Sequence, residues 1–260
     1  MHPEENPEVF VFFHIPKTGG TSVNHLLCEN LKLGTEFIQL DHAGQRDDLK
    51  NHRLPLPKRS LEERMAVRAI AGHDVNITTE LLFPNKIPQR ITFFRKTADR
   101  ILSAFNYETS DASNAKWDVT VSFDTWYAQQ ERDVITKFLV KRLIANRLQR
   151  AWVQGQRLLQ YRLHRGASSA MFEQVQRELK KFLFVGCTEH LNRDFPFLAA
   201  RMNLHGEIEK RNAAGRNFSK RLELTPELEA RLERENCWDT RLYQYWHDRL
   251  EESVQRLQAK

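Results

Sequence analysis

The chain has 260 residues, 40% of them hydrophobic, which is enough to bury one sizeable core. Lys and Arg number 40 against 34 Asp and Glu, and the net charge of +6 favours anionic ligands without selecting one. The three cysteines, Cys28, Cys187 and Cys237, follow no disulfide or zinc spacing, and no apolar run reaches the roughly 18 residues of a membrane span. We therefore expect a cytoplasmic protein with one α/β domain over residues 1–260.

A strand, a tight loop and a helix are predicted at the start of the chain. The apolar run Phe10–Phe13 passes through Pro16 into a loop with two glycines, and a helical pattern to Leu33 follows. Such a loop directs backbone N–H groups and the positive end of the helix dipole at one point, which suits a phosphate-like anion. The residues available for that role are Lys17, Thr18, Gly19, Gly20, Thr21 and Ser22.

The loop does not have the spacing of the common nucleotide-triphosphate loop. That motif places its Lys after the last glycine, whereas Lys17 precedes both glycines. By itself, the pattern also fits a glycine-containing turn that binds nothing.

Two further strands are predicted to end in polar side chains. A short strand over Thr35–Leu40 and an irregular polar loop over Asp41–Arg64 lead to the strand Met65–Gly72, which His73 follows directly. Ligands of open α/β sheets lie beyond the carboxyl ends of the strands, and an imidazole can accept a proton at neutral pH, so His73 is a candidate general base. The alternative is a purely structural histidine.

The third strand, Gln89–Phe94, leads through Arg95 into a helix. One face of this helix is apolar and predicts core positions, namely Ala98, Ile101, Leu102 and Phe105. Arg95 and Ser103 can converge on a second phosphate, the former through charge-assisted hydrogen bonds and the latter through its hydroxyl. A surface arginine and a solvated serine are the alternative.

The later chain is mainly helical in pattern. A polar loop over 108–122 precedes a helix capped by Ser122 or Asp124, and residues 134–172 form one or two amphipathic helices. The basic face of the 137–165 stretch either binds an anionic partner or is solvated. A buried strand over 182–187, a basic loop over 210–218 and a terminal helix or helix pair complete the chain.

Three segments resemble one enzyme family. His14–Ser22 resembles the 5′-phosphosulfate loop of sulfotransferases that use 3′-phosphoadenosine-5′-phosphosulfate (PAPS), in the family 2 branch that contains heparan sulfate 2-O-sulfotransferase. The Gly72-His73 pair is similar to the strand end that carries the catalytic base in that branch. The 3′-phosphate motif R-[DN]-P-x-x-R-x-x-S-x-[YF] is matched at Arg95, Arg100, Ser103 and Phe105, with Lys96-Thr97 in place of its acid or amide and proline. The string Phe184–Glu189 looks like a strand-to-helix junction that supports the fold.

The resemblance implies a central parallel sheet of four or five strands flanked by helices, related to P-loop kinases, with extra C-terminal helices. It implies sulfuryl transfer from PAPS to an acceptor hydroxyl, with a saccharide or glycolipid favoured, and no metal. His73 and Lys17 are the implied catalytic residues. The implied donor-binding residues are Lys17, Thr18, Gly19, Gly20, Thr21, Ser22, Arg95 and Ser103, with looser matches at Arg211, Arg216 and Asn217.

Two other functions stay open at this point. A kinase with an unusual phosphate loop would use ATP and a carboxylate-held Mg²⁺, for which no clear acidic motif follows a strand. A polyanion-binding protein would use the basic 137–165 stretch and would show steeply salt-dependent binding. We expect no nucleic-acid partner, and peripheral membrane contact is compatible with the charge.

Overall fold

The computed structural model of the chain describes residues 8–40, 59–109, 120–144, 166–208 and 222–258. Its centre is a five-stranded, fully parallel sheet with the order β2-β3-β1-β4-β5. The strands are β1 (Glu8–Phe13), β2 (Phe37–Gln39), β3 (Ala69–Gly72), β4 (Ile87–Phe94) and β5 (Phe184–Cys187). The predicted α/β class and the predicted parallel sheet are confirmed.

Ten α-helices and two 3₁₀-helices surround the sheet in the described ranges. The 3₁₀-helices span Ile77–Leu82 and Thr188–His190. The α-helices are α1 (Gly20–Asn30), α2 (Leu61–Met65), α3 (Thr97–Glu108), α4 (Phe123–Gln129), α5 (Val134–Leu143), α6 (Ser169–Leu179), α7 (Leu191–Arg201), α8 (Pro226–Glu235), α9 (Cys237–His247) and α10 (Leu250–Gln258).

The apolar run of β1 is continuous because both faces of the sheet are covered. Successive side chains of a strand point to opposite faces. Val9, Val11 and Phe13 therefore join a core with α5, α6 and α9, whereas Phe10 and Phe12 join a core with α1, α7 and α10. Burying both faces of one strand makes β1 the centre of the fold.

A third apolar cluster lies between α3, α4 and α8. The predicted core face of α3 is confirmed, since Ala98, Ile101, Leu102 and Phe105 are all buried. The helix α4 begins as predicted, and Ser122 is its cap because the Ser122 side chain accepts a hydrogen bond from Thr125 N.

The segment before β3 differs from the prediction. Residues up to Arg64 were expected to be irregular and Met65 was expected to start a strand, but α2 occupies Leu61–Met65 and β3 begins at Ala69. The cause is a capping box, in which Ser60 and Glu63 each accept a hydrogen bond from the backbone N–H of the other. Residues 41–58 of the predicted loop lie outside the described residues.

Other boundaries shift by a few residues. The helix α1 ends at Asn30 rather than Leu33, and β4 begins at Ile87 rather than Gln89. The 3₁₀-helix over Ile77–Leu82 was not expected; Asn76 caps it, with its side chain accepting from Thr78 N.

The C-terminal helices agree with the prediction. Pro226 is the first residue of α8 and Thr225 is its cap, and the final helix pair is α9 and α10. The helix α9 packs against α5 and α6, and α10 packs against β5 and α7. Across the described ranges, we find no helix with both the length and the apolar character needed to cross a bilayer.

Only the first part of the predicted basic stretch is described. Lys137 is buried, with its ammonium 3.3 Å from Glu131 Oε2, and Arg142 donates to Asp74 Oδ1 at 2.8 Å. Lys141 is exposed. Two of the three described cations thus have carboxylate partners within the fold, while residues 145–165 lie outside the described part.

Candidate active site

The order of the strands brings four polar strand ends to one edge of the sheet. β1 lies between β3 and β4, which is where the order of the strands reverses, and ligands of such sheets bind at this point. The loop that contains Lys17 follows β1, His73 follows β3, Arg95 follows β4 and Thr188 follows β5.

The loop after β1 ends at an open helix N-terminus. Gly19 is the residue before α1 and has a φ of 83°, a conformation that glycine adopts without strain. Within the described ranges, no side chain caps α1 and its first turn contains no acid. Since the first N–H groups of a helix lack intrahelical acceptors, the N–H groups of Gly20 and Thr21 can bind an anion.

Lys17 also has a left-handed backbone, with a φ of 69°. Non-glycine residues in this region are strained, and such strain is concentrated at functional sites. The Lys17 ammonium lies 3.0 Å from the centroid of the Tyr107 ring, a cation–π contact with α3. The loop thus presents a lysine that α3 already holds in position.

The three hydroxyl residues of the loop have different surroundings. Thr18 is fully buried and its hydroxyl donates to Ile15 O at 2.9 Å, so its side chain holds the turn together. Ser22 is buried in the first turn of α1, and Thr21 is exposed there. Thr21 is therefore the hydroxyl residue of this loop that is most accessible to a ligand.

Arg95 lies beside the loop that contains Lys17, and Ser103 lies on the helix that contacts the Lys17 ammonium. Arg95 Nη1 is 3.5 Å from Lys17 O, which places the guanidinium beside the loop. Ser103 is half-buried and lies one turn before Tyr107, on the same side of α3. Both residues of the predicted 3′-phosphate motif therefore lie on elements that contact Lys17.

The hydrogen bond of His73 determines which of its nitrogens can act as a base. His73 Nδ1 is 2.8 Å from the backbone oxygen of His14. A carbonyl oxygen can only accept, so Nδ1 carries the proton in the neutral ring and Nε2 is the acceptor. This is the tautomer that a general base at Nε2 requires.

His14 supports the ring of His73 from the end of β1. The two rings stack with centroids 4.2 Å apart and planes at 29°, and the His14 ring stacks in turn on Phe12 at 5.4 Å. A Cβ atom on Gly20 would lie only 2.0 Å from His14 Cδ2. Gly20 is therefore needed for the packing of His14 as well as for the loop.

Two residues after β5 join the strand ends together. Thr188 Oγ1 lies 2.9 Å from both Thr18 O and Phe94 O, and so connects the loop after β1 to the end of β4. Glu189 Oε1 accepts a hydrogen bond from Lys96 N at 2.8 Å, at the start of α3. The predicted supporting role of the Phe184–Glu189 segment agrees with these bonds.

Sequence reasoning missed His14 and Thr188 as parts of the site. His14 was within the recognised loop motif, but its stacking depends on β3 lying next to β1. The role of Thr188 depends on β5 lying next to β4. Three other candidates, Arg211, Arg216 and Asn217, lie outside the described residues.

Among the described residues, no group of three or more His, Cys, Asp and Glu side chains is arranged to hold a metal ion.

Comparison with known proteins finds structural similarity at low sequence identity. No protein-family model matches the chain, and no curated protein matches it. A sulfotransferase from Alicyclobacillus acidocaldarius is similar in structure, with 15% sequence identity and a TM-score of 0.44. The similarity covers 92% of this chain and 96% of the chain of that sulfotransferase.

Proposed function

We propose that this protein is a sulfotransferase that moves a sulfuryl group from PAPS to a hydroxyl of a saccharide acceptor. The observation that carries the proposal is the placement of Lys17 at the open N-terminus of α1, with the His73 tautomer fixed on the neighbouring strand. The choice of PAPS as the donor comes from the sequence resemblance at His14–Ser22, at Gly72-His73 and at Arg95–Phe105.

The described residues fit a donor with two separate phosphate groups. The N–H groups of Gly20 and Thr21, the Thr21 hydroxyl and the Lys17 ammonium suit the 5′-phosphosulfate. Arg95 and Ser103 suit the 3′-phosphate, which ATP lacks. By resemblance, Arg211, Arg216 and Asn217 contact the same nucleotide.

The chemistry divides between two side chains. PAPS supplies the sulfuryl group: the acceptor oxygen bonds to its sulfur while the bond from sulfur to the 5′-phosphate oxygen breaks, and 3′-phosphoadenosine-5′-phosphate (PAP) leaves as an anion. His73 Nε2 accepts the proton of the acceptor hydroxyl, while Nδ1 keeps its hydrogen bond to His14 O. Lys17 and the helix N–H groups stabilise the negative charge that develops on the leaving phosphate oxygen. Charge stabilisation and positioning account for the rate in this scheme.

Transfer of labelled sulfuryl from PAPS to a panel of saccharides tests the proposal. We expect His73→Ala to reduce turnover by about 10²–10⁴-fold and Lys17→Ala to reduce it by about 10²–10³-fold. Each variant should keep the melting temperature of the wild type.

His25→Ala is the matched control, since His25 lies on α1 and pairs with the exposed Glu29. It should keep wild-type turnover. Near-normal turnover of His73→Ala would exclude His73 as the base, and phosphate transfer from ATP would replace the proposal by a kinase.

A further inference from the structure

Two histidines face each other where the last turn of α9 meets the segment after β5. His190 is the last residue of the 3₁₀-helix that follows β5, and His247 is the last residue of α9. Their Nε2 atoms lie 3.3 Å apart. His190 is half-buried and the side chain of His247 is 41% exposed, so the pair is open to ions from the solvent.

The separation of the two Nε2 atoms suits a shared metal ion. Two imidazole nitrogens that bind one tetrahedral Zn²⁺, each about 2.0–2.1 Å from the ion, are about 3.3–3.4 Å apart. Without an ion, one neutral ring can donate its Nε2 proton to the other. A separation of 3.3 Å is long for that bond, because N–H donors usually lie about 2.7–3.2 Å from their acceptors.

Asp248 favours the tautomer of His247 that metal binding requires. Asp248 Oδ1 lies 3.6 Å from His247 Nδ1. The attraction of the carboxylate favours a proton on Nδ1, which leaves the lone pair of Nε2 directed at His190. A carboxylate beside the second ring nitrogen is a common feature of metal-binding histidines, since it orients the ring and raises the basicity of the ligand.

The arginines next to the pair along the chain have partners of their own. Arg193 donates to Asp194 and forms an ion pair with Glu251 at 3.2 Å. Arg249 lies over the ring of Tyr245, with Cζ 3.9 Å from the ring centroid, and donates to Tyr245 O. Their positive charges are therefore offset in part, which lowers the electrostatic cost of placing a cation between the histidines.

We propose that His190 and His247 bind a divalent transition-metal ion of the Zn²⁺ class, with water completing the coordination. Among the described residues, no third His, Cys, Asp or Glu side chain is arranged to join the pair, so the protein ligands are the two imidazoles. Imidazole nitrogens suit Zn²⁺, Ni²⁺ and Cu²⁺, whereas Mg²⁺ and Ca²⁺ prefer oxygen ligands. The inference does not rest on the proposed function, because the ion takes no part in the proposed sulfuryl transfer.

The ion would join α9 to the segment that connects the strand ends. His190 follows Thr188, which bonds to Thr18 O and Phe94 O, and Glu189, which accepts from Lys96 N. A ligand that binds the folded chain and not the unfolded chain stabilises the fold. Zn²⁺ should therefore raise the melting temperature of the protein.

Calorimetric titration of ZnCl₂ into the metal-free full chain tests the site, together with melting curves with and without Zn²⁺. His190→Gln keeps a side chain that can donate to His247 Nε2 but removes an imidazole, and His247→Ala removes the other imidazole. We expect each variant to bind Zn²⁺ at least about ten-fold more weakly, since loss of an outer-shell partner alone has effects of that order. Each should also lose the rise in melting temperature that Zn²⁺ gives the wild type.

His205→Ala is the matched control, because His205 is an exposed histidine that follows α7. It should keep both the affinity for Zn²⁺ and the rise in melting temperature. The side chains of the pair are partly exposed, so both test variants should fold like the metal-free wild type.

Zn²⁺ affinity that is unchanged in both His190→Gln and His247→Ala would overturn the inference. So would the absence of saturable binding by the wild type at up to about 1 mM Zn²⁺. Binding of MgCl₂ as tight as that of ZnCl₂ would also overturn it, by indicating oxygen ligands in place of the imidazoles.

Discussion

His14 links the glycine loop to the histidine at the end of β3. Its carbonyl oxygen accepts from His73 Nδ1, its ring stacks on the ring of His73, and Gly20 packs closely against Cδ2 and Nε2 of the His14 ring. The stack can hold the His73 ring in one orientation, which is what a general base needs to reach a bound hydroxyl.

Gly20→Ala should impair catalysis through this contact. The added Cβ would overlap the His14 ring, 2.0 Å from Cδ2 and 2.2 Å from Nε2, and the His14 ring cannot move without disturbing its stack on His73. We expect turnover to fall by at least about ten-fold, because a displacement of about 1 Å in a catalytic group has effects of that order or larger. Steady-state turnover and melting temperature are the measurements.

Glu29→Ala provides the control, because Glu29 lies on the same helix and its side chain is half-exposed. It should leave turnover unchanged. Wild-type turnover in Gly20→Ala would show that the packing of His14 does not affect the chemistry.

Residue patterns predicted part of this site and could not predict the rest. The apolar run, Pro16 and the two glycines predict a strand, a loop and a helix, because each signal is local. The stack of His14 on His73 is not local, since it depends on β1 pairing with β3, and 55 residues lie between Phe13 and Ala69. Thr188 is a similar case, because its two acceptors lie on other strand ends.

At the level of elements, α5 and α9 cap each other. Asp239, near the start of α9, accepts from Ile135 N and Thr136 N in the first turn of α5. Asp133, just before α5, accepts from Trp238 N and Asp239 N in the first turn of α9. Each carboxylate satisfies N–H groups that a helix start leaves without partners. This pairing fixes the starts of the two helices to each other.

The reciprocal capping predicts a specific dependence of stability on pH. Burial and the neighbouring Asp133 raise the pKa of Asp239 to about 6, above its value in the unfolded chain. The stabilisation from protonated Asp239 is therefore complete below about pH 4 and is lost as pH rises through about 6. Burial raises the pKa of Asp133 as well.

Asp239→Asn should remove much of this dependence. An amide offers one acceptor oxygen in place of two, so the variant should be less stable by about 1–3 kcal/mol at pH 4.5. The difference between wild type and variant should shrink between pH 4.5 and 7.5, because the wild type alone loses the contribution of protonated Asp239. Urea unfolding at four pH values in this range gives the two free energies.

Asp124→Asn is the control for this series, since Asp124 is exposed on α4 and pairs with Arg231. The difference in the free energy of unfolding between Asp124→Asn and the wild type should not change with pH. A difference between wild type and Asp239→Asn that stays constant or grows with pH would contradict the raised pKa.

The helix caps show why the starts of some helices were predicted from the sequence and others were not. Ser122 caps the helix that it precedes, and it was predicted as a cap; Thr225 caps α8 in the same local way. The box of Ser60 and Glu63 is equally local and could have been found from the sequence, but the polar composition around it favoured a loop. The caps of α5 and α9 come from residues about a hundred positions away, so no local pattern indicates them.

For the whole molecule, the parallel sheet determines which distant residues meet. Runs that are apolar at every position predict strands buried on both faces, and such strands occur in parallel sheets covered by helices. The order β2-β3-β1-β4-β5 then places Lys17 between His73 on one side and Arg95 on the other. The proposed base, the proposed loop for the leaving group and the proposed second phosphate ligand thus follow from one arrangement of strands.

Titration of PAP, AMP and ATP into the wild type and Arg95→Ala by calorimetry tests the proposed donor site most directly. We expect the wild type to bind PAP at least about ten-fold more tightly than AMP, because only PAP carries the phosphate that Arg95 and Ser103 would hold. Arg95→Ala should lose most of that difference, while Arg177→Ala, on α6, should retain it. Equal affinity of the wild type for PAP and AMP, or tighter binding of ATP, would contradict the account.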